Sequence, residues 1–278
     1  MFDADEEEQL LKAAQAGDET AFGRLAEPVT PRIRNIVKRM IGHPEDTEDV
    51  LQEALLKAWT SIGRFSGRSR FSTWLTAIAS NAAVDFLRSR KRWRPEAQIA
   101  YANLCATSEE LSNEVISQYG APDFSYEVRE HISYCFTCVG RSLPPDELAV
   151  LVLRDIVDMS AKEASEALHV SDSVLRHRLS AARKSMQERY DGLCSLVSKQ
   201  GICHQCKGLQ MIAPDERKGG AFPDLEDFEA RLKVVRETKS VNMQKLHDVF
   251  WRNTSRIEEE GIGSISPDSG CGEDQGGH

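Results

Sequence analysis

Two short cysteine clusters are the residues of this chain best suited to chemistry. His131, Cys135 and Cys138 are spaced His-x3-Cys-x2-Cys, and Cys203 and Cys206 are spaced Cys-x2-Cys. Two thiolates from each cluster would complete a tetrahedral zinc site, with His131 or Cys194 as alternate ligands. The intervening chain is long enough to close it: a helix over Ser171 to Tyr190 spans about 30 Å, and Asp191 to Ile202 reaches ~40 Å when extended. Reduced buried thiols and a redox-switching dithiol stay open beside metal binding, because cysteines one helical turn apart are often plain core neighbours. Cys105 and Cys271 have no partner at ligand spacing. No phosphate loop, nucleophile-and-base set or cofactor motif accompanies the thiols, so the chain is not expected to be an enzyme.

A second group of residues suits nucleic acid. Arg64 to Arg94 carries eight Arg or Lys side chains against a single acid, Asp85, interleaved with Phe65, Phe71, Trp74, Phe86 and Trp93. Aromatic faces stack on unpaired bases and guanidinium groups hold the adjacent phosphates, which suits a melted strand better than a duplex. Spacing makes Phe71, Trp74, Leu75, Ile78 and Phe86 core residues. Phe65, in a Gly-containing loop, and Trp93, in a basic terminus, are expected to be exposed. Just upstream, Leu51, Ala54, Leu55 and Ala58 form an apolar stripe, leaving Asp49, Gln52 and Glu53 together on the opposite face.

The elements that must position these residues are helical. At 278 residues and a net charge of -9, the chain has room for two small domains and an extension. The negative sum hides clustering, with acid at Asp3 to Glu8, Glu45 to Asp49 and beyond Asp224. No stretch approaches a membrane span and the N-terminus lacks signal-peptide order, so a cytoplasmic protein without membrane insertion is expected. In such a compartment the seven cysteines are not expected to form a disulfide framework. Helical periodicity and Pro/Gly interruptions divide the chain into an all-α arrangement. Residues 1–94 form one helical domain, 95–123 a linker with about one helical turn, and 124–206 a second domain with the cysteine clasp. Residues 207–223 form a second linker, 224–260 a helical extension, and 261–278 a disordered tail.

Within the second domain, Ser160 and Glu163 are spaced as a capping box opening a short helix, His169-Val170 makes a turn, and Ser171 caps the next helix. There Val174, Leu175, Leu179 and Ala182 are expected to point inward, leaving Arg176, His177, Arg178, Arg183 and Lys184 outward. This is a helix-turn-helix whose last helix suits a major groove.

The runs Asp49-Val-Leu-Gln-Glu53, Lys57-Ala-Trp59, Phe65-Ser-Gly67, Phe71-Ser-Thr-Trp-Leu75, Ile78-Ala-Ser-Asn81 and Asp85-Phe-Leu-Arg88 resemble region 2 of extracytoplasmic-function sigma factors. Asp146 to Arg189 resembles their region 4. The resemblance implies a transcription initiation factor that brings core RNA polymerase to promoter DNA. It assigns Asp49, Gln52 and Glu53 to the polymerase clamp. Phe65, Ser66, Gly67, Arg68 and Asn81 fall to the minus-ten strand, Arg88 is a further DNA-binding candidate, and Arg176, His177, Arg178, Arg183 and Lys184 fall to the minus-thirty-five element. Relatives often have Gly-Thr-Val-Lys where this chain has Ser173-Val-Leu-Arg176, so the element read is expected to differ. The His-x3-Cys-x2-Cys triplet resembles that of zinc-containing anti-sigma proteins, and a separate anti-sigma partner stays open. The competing reading is a metal- or redox-sensing helix-turn-helix regulator that acts without polymerase.

Overall fold

The computed structural model describes residues 3–212, 222–223, 225, 227–238 and 243–259. Among these the chain is predominantly helical, with an isolated bridge between Cys194 and Cys203. The expected tail at 261–278, with Cys271, lies outside the described residues.

The first unit is built from α1 (Ala4–Gln15), α2 (Glu19–Ala26), α3 (Thr30–Ile41), α4 (Pro44–Ser61) and α5 (Phe71–Ser89). Asp3 and Asp18 cap the first two helices by accepting the amides of Glu6 and Ala21. Pro44 starts α4 at a position where its missing amide costs nothing. α3 stops at Gly42, whose φ of 86° few other residues adopt. The inward faces of these helices meet through Phe22, Ile33, Val37, Leu51, Ala54, Phe71 and Leu75, all buried.

The expected linker at 95–123 is instead two helices, α6 (Ala97–Thr107) and α7 (Glu109–Gly120), with Ser108 capping the second. Neither has a strong stripe of its own. They form because Ala97, Ala100, Leu104 and Leu111 bury against Trp93, Phe250 and Trp251, so tertiary burial supplies what local periodicity lacks.

The second unit contains α8 (Val128–Gly140), α9 (Pro145–Leu151) running into a π-helical turn at Val152–Ile156, α10 (Ala161–Ala167) and α11 (Asp172–Leu193). Ser160 and Glu163 form the reciprocal capping box, His169 makes the turn at a φ of 52°, and Ser171 caps α11. Val174 departs from expectation: it is 40 % exposed, because the inner line of α11 runs through Leu175, Ala182, Met186 and Tyr190.

After α11 the chain folds back, with the Cys203 amide donating to the Leu193 carbonyl at 2.7 Å. α12 (Gln205–Ile212) follows, so the expected linker at 207–223 begins as helix; 213–221 lie outside the described residues. The extension forms α13 (Phe228–Glu237), α14 (Gln244–Arg252) and α15 (Thr254–Glu259). Leu225, Leu232 and Val235 are buried.

The extension is not an appendage. One buried cluster runs from Leu10 in α1 through the second unit to Leu232 and Val235 in α13. Arg39 of α3 is buried, and its guanidinium donates to the Ser133 hydroxyl on α8 and to the carbonyls of Val235 (3.1 Å) and Thr238 (3.2 Å). Trp251 lies flat against Trp93 at 4.8 Å and packs directly on Gly42, where a β-carbon would collide with its ring.

Candidate nucleic-acid and polymerase interface

On α4, burial of Val50, Leu51, Ala54 and Ala58 turns Asp49, Gln52 and Glu53 to solvent. Glu53 pairs with Lys57 at 2.6 Å, an exposed contact of little energetic weight. Leu56 lies on the same outer face, one turn beyond Gln52 and Glu53, and is 61 % exposed. Sequence reasoning passed over it. Its displacement from the apolar stripe was the available signal.

The loop between α4 and α5 divides. Ser66, Gly67 and Arg68 are exposed, and Gly67 has a φ of 69° that permits the bend. Phe65, expected to be exposed, is buried: its ring packs against Phe71 at 6.3 Å and Trp74 at 5.1 Å. Gln15 pins the backbone there by donating to the Phe65 carbonyl at 2.9 Å. Trp93 is corrected the same way. It is 8 % exposed, held between Trp251 and the Arg141 guanidinium, which lies 4.7 Å from its ring.

Several of the remaining candidates face one another across the two units. The Asn81 amide donates to the Ala77 carbonyl at 2.9 Å and to the Ala167 carbonyl, at the end of α10, at 3.0 Å. Asp146 at the start of α9 accepts Arg88 from α5 at 2.9 and 3.0 Å and pairs with Arg178 of α11 at 3.1 Å. That pairing, with Asp85 adding to it, holds the Arg88 guanidinium above its ordinary pKa. Arg183 makes a two-pronged contact with the buried Asp155 at 2.6 and 2.7 Å. On α11 Arg176, His177 and Lys184 are exposed.

An acidic helix, an aromatic and arginine-rich segment and a capped helix-turn-helix thus occur in one chain. Residues 25–93 match the sigma-70 region 2 family and residues 135–186 match the sigma-70 region 4 family. The chain thus carries both regions of a sigma-70-type sigma factor. It is 26% identical to the RNA polymerase sigma-H factor of Pseudomonas aeruginosa over 192 residues, 68% of this chain and 95% of that one. It is 26% identical to the sigma factor SigW of Bacillus subtilis over 64% of this chain and 94% of that one. A solved structure of CnrH in complex with the cytosolic domain of CnrY is similar at 26% identity and a TM-score of 0.43, covering 67% of this chain and 97% of that one. As a sigma factor the protein directs RNA polymerase to promoters. Among the described residues no helix is long and apolar enough to cross a membrane.

The cysteines of this sigma factor lie against its extension. The expected set of Cys135, Cys138, Cys203 and Cys206, with His131 and Cys194 as alternates, does not gather around one point. Among the described residues no three His, Cys, Asp or Glu side chains are grouped so as to hold a metal ion. The physical reason is Arg231 of α13. Its guanidinium lies between Cys194, whose sulfur it reaches from Nη2 at 3.1 Å, and Cys135, at 3.9 Å from Nη1. Cys203 and Cys206 are close enough to share its field. Cys138 instead turns into the cluster of Trp93, Tyr134 and Trp251. Burial pushes the Cys135 thiol up to about 12 and that of Cys203 to about 11, so both are protonated at neutral pH. His131 and His247 of α14 meet at 3.3 Å, and burial lowers His131 to about 4.

Proposed function

We propose that this sigma factor rests in a closed form, with its polymerase handle presented and its promoter-reading surfaces folded against each other by the C-terminal extension. In this reading Asp49, Gln52 and Glu53, joined by Leu56, engage core polymerase. Ser66, Gly67, Arg68 and Asn81 take the melted minus-ten strand, and Arg176, His177 and Arg178 read the minus-thirty-five duplex, with Arg183 and Lys184 at its phosphates. It works as an initiation factor rather than an enzyme. The observation that carries the reading is Asp146, whose carboxylate joins Arg88 of α5 to Arg178 of the recognition helix while Asn81 is spent on the Ala167 carbonyl. Asn81 and Arg88, engaged in that way across the units, cannot bind a base or a phosphate until the two units separate, while Arg178 is held by the same carboxylate within its own unit.

Asp146→Ala in the full chain tests this. Freeing Arg88 and Arg178 together should raise promoter occupancy by the variant holoenzyme several-fold at fixed salt, and permanganate should find unpaired thymines at lower protein concentration. Unchanged or weaker occupancy would reject the closed form. A regulator acting without polymerase predicts promoter binding that does not depend on core enzyme, and a separate anti-sigma protein predicts that the purified chain is already fully active.

A further inference from the structure

A cavity of about 210 Å³ lies under the extension, walled by α6, α7, α8, α12 and α14. None of the polymerase or promoter candidates lines it. Much of its wall is carbon, from Ala102, Val115, Leu209, Leu246 and Phe250. The two histidines that line it, His131 and His247, are held neutral by burial. A smaller apolar cavity, of roughly 150 Å³, is enough to hold a benzene ring in another protein. Two polar side chains of α6 also line it. Gln98 is 7% exposed; its amide nitrogen reaches the Cys135 sulfur at 3.7 Å, and its Oε1 has no hydrogen-bond partner among the described residues. The Tyr101 hydroxyl, three residues on, is buried with nothing to pair with beyond the neighbouring Cys105 thiol. Residues three apart on a helix stand side by side, so the two groups share one stretch of wall. Buried polar groups are nearly always paired, and leaving one unpaired is costly. A water would pair them but leave the surrounding carbon uncovered. A hydroxyl carried on a ring does both.

We propose that this cavity is a binding site for a small neutral aromatic alcohol of the phenol class, with Gln98 and Tyr101 fixing its hydroxyl and the carbon wall holding its ring. The ligand hydroxyl donates to Oε1 of Gln98 and accepts from the Tyr101 hydroxyl, so both of its hydrogen-bonding roles are used. Ligand pockets are commonly built in this way, from apolar and aromatic walls with a few placed polar groups. Anionic relatives are excluded, because no lining side chain carries a charge to answer one. The wall comes from the stretch between the units, from the second unit and from the extension, so an occupant touches all three. A ligand that binds only the assembled cavity stabilises that assembly by mass action. An occupied cavity should therefore hold the chain closed. That last consequence rests on the closed-form reading above; the site itself does not.

The test is calorimetric titration of the reduced full-length protein at neutral pH with phenol, toluene and benzoate. Phenol should bind at one equivalent with submillimolar affinity, about tenfold more tightly than toluene, the worth of one net hydrogen bond. Benzoate should not bind. Gln98→Leu should keep toluene binding and lose the preference for phenol. Ala102→Phe, which brings a ring into the cavity from a half-buried position, should lose both ligands while helical circular dichroism stays unchanged. If that variant fails to fold, Gln98→Leu still decides. Failure of the parent to bind either phenol or toluene would overturn the site, as would benzoate binding as tightly as phenol or undiminished binding in a folded Ala102→Phe. A phenol preference that survives Gln98→Leu would overturn the recognition of the hydroxyl. None of these readouts involves polymerase, so sound phenol binding with unaltered promoter occupancy in Asp146→Ala would fault the closed form alone.

Discussion

Phe65 shows how one residue can mislead and still be informative. Its place in a basic, glycine-bearing loop favours exposure, yet its ring completes the Phe71 and Trp74 cluster. Phe65→Ala should therefore lower unfolding free energy by about 3 kcal/mol, as large-to-small core changes do, which a chemical denaturation curve measures. Arg68, exposed in the same loop, should behave oppositely. Arg68→Ala should leave the denaturation midpoint unmoved and reduce permanganate-detected promoter opening. If Phe65→Ala opened promoters poorly at full stability, its burial would be refuted. At the handle, Asp49→Lys combined with Glu53→Lys should weaken core-polymerase binding tenfold or more without altering helical circular dichroism. Both side chains are exposed, and neither holds α4 in place.

Among the elements, α8 and α14 join the second unit to the extension through two neutral histidines. His131 and His247 touch, the His247 ring stacks on Tyr134 at 3.6 Å, and its Nδ1 faces the Met243 carbonyl at 2.8 Å. Burial depresses both, His131 from 6.5 to about 4. The unfolded chain then takes up protons first as pH falls. The stabilisation is complete above about pH 6.5 and disappears progressively towards pH 4, a loss of roughly 3 kcal/mol from His131 alone, to which His247 adds in the same direction. Thermal melts between pH 7.5 and 4.5 should show that slope, and the double substitution His131→Gln with His247→Gln should flatten it. A slope that persists in the double variant would assign the acid sensitivity to other groups. On α11, Arg176 is exposed, whereas Arg183 is occupied by Asp155. Arg176→Ala should weaken duplex binding by about 1–3 kcal/mol if it meets a base edge. The direct measurement is a fluorescence-anisotropy titration at stated salt.

For the whole molecule, the extension acts as a strap. It reaches the first unit through Trp251 on Gly42 and Trp93, and through Gln244, which accepts from Lys38 at 2.8 Å. It reaches the second unit through Arg236, which donates to the Asp155 carbonyl. Replacing Trp251 by Ala removes a fully buried indole shared by α3, α6 and α14, at a cost of about 3–5 kcal/mol. The loss should appear as separation of the units before global unfolding. Small-angle scattering should record a larger radius of gyration at temperatures where helical content is intact. Cooperative loss of shape and helix together would mean that the units have no stability apart from the strap.

The sequence by itself determined the helical class, the two matching segments and their order, because stripe spacing, caps and aromatic–arginine interleaving are local signals. The Ser160–Glu163 box and the Ser171 cap are legible for the same reason: each is closed by groups three residues apart. Only the tertiary structure decided what lies at long range. α6 and α7 exist because Trp93 and Trp251 cover them. Phe65 and Trp93 are buried because partners distant in sequence reach them. Cys194, not Cys138, stands beside Arg231 because the loop after α11 returns through the Cys194–Cys203 bridge. Burial by a remote partner leaves no periodicity within either segment, and so the strap and the thiol-lined arginine emerge only once the chain is folded.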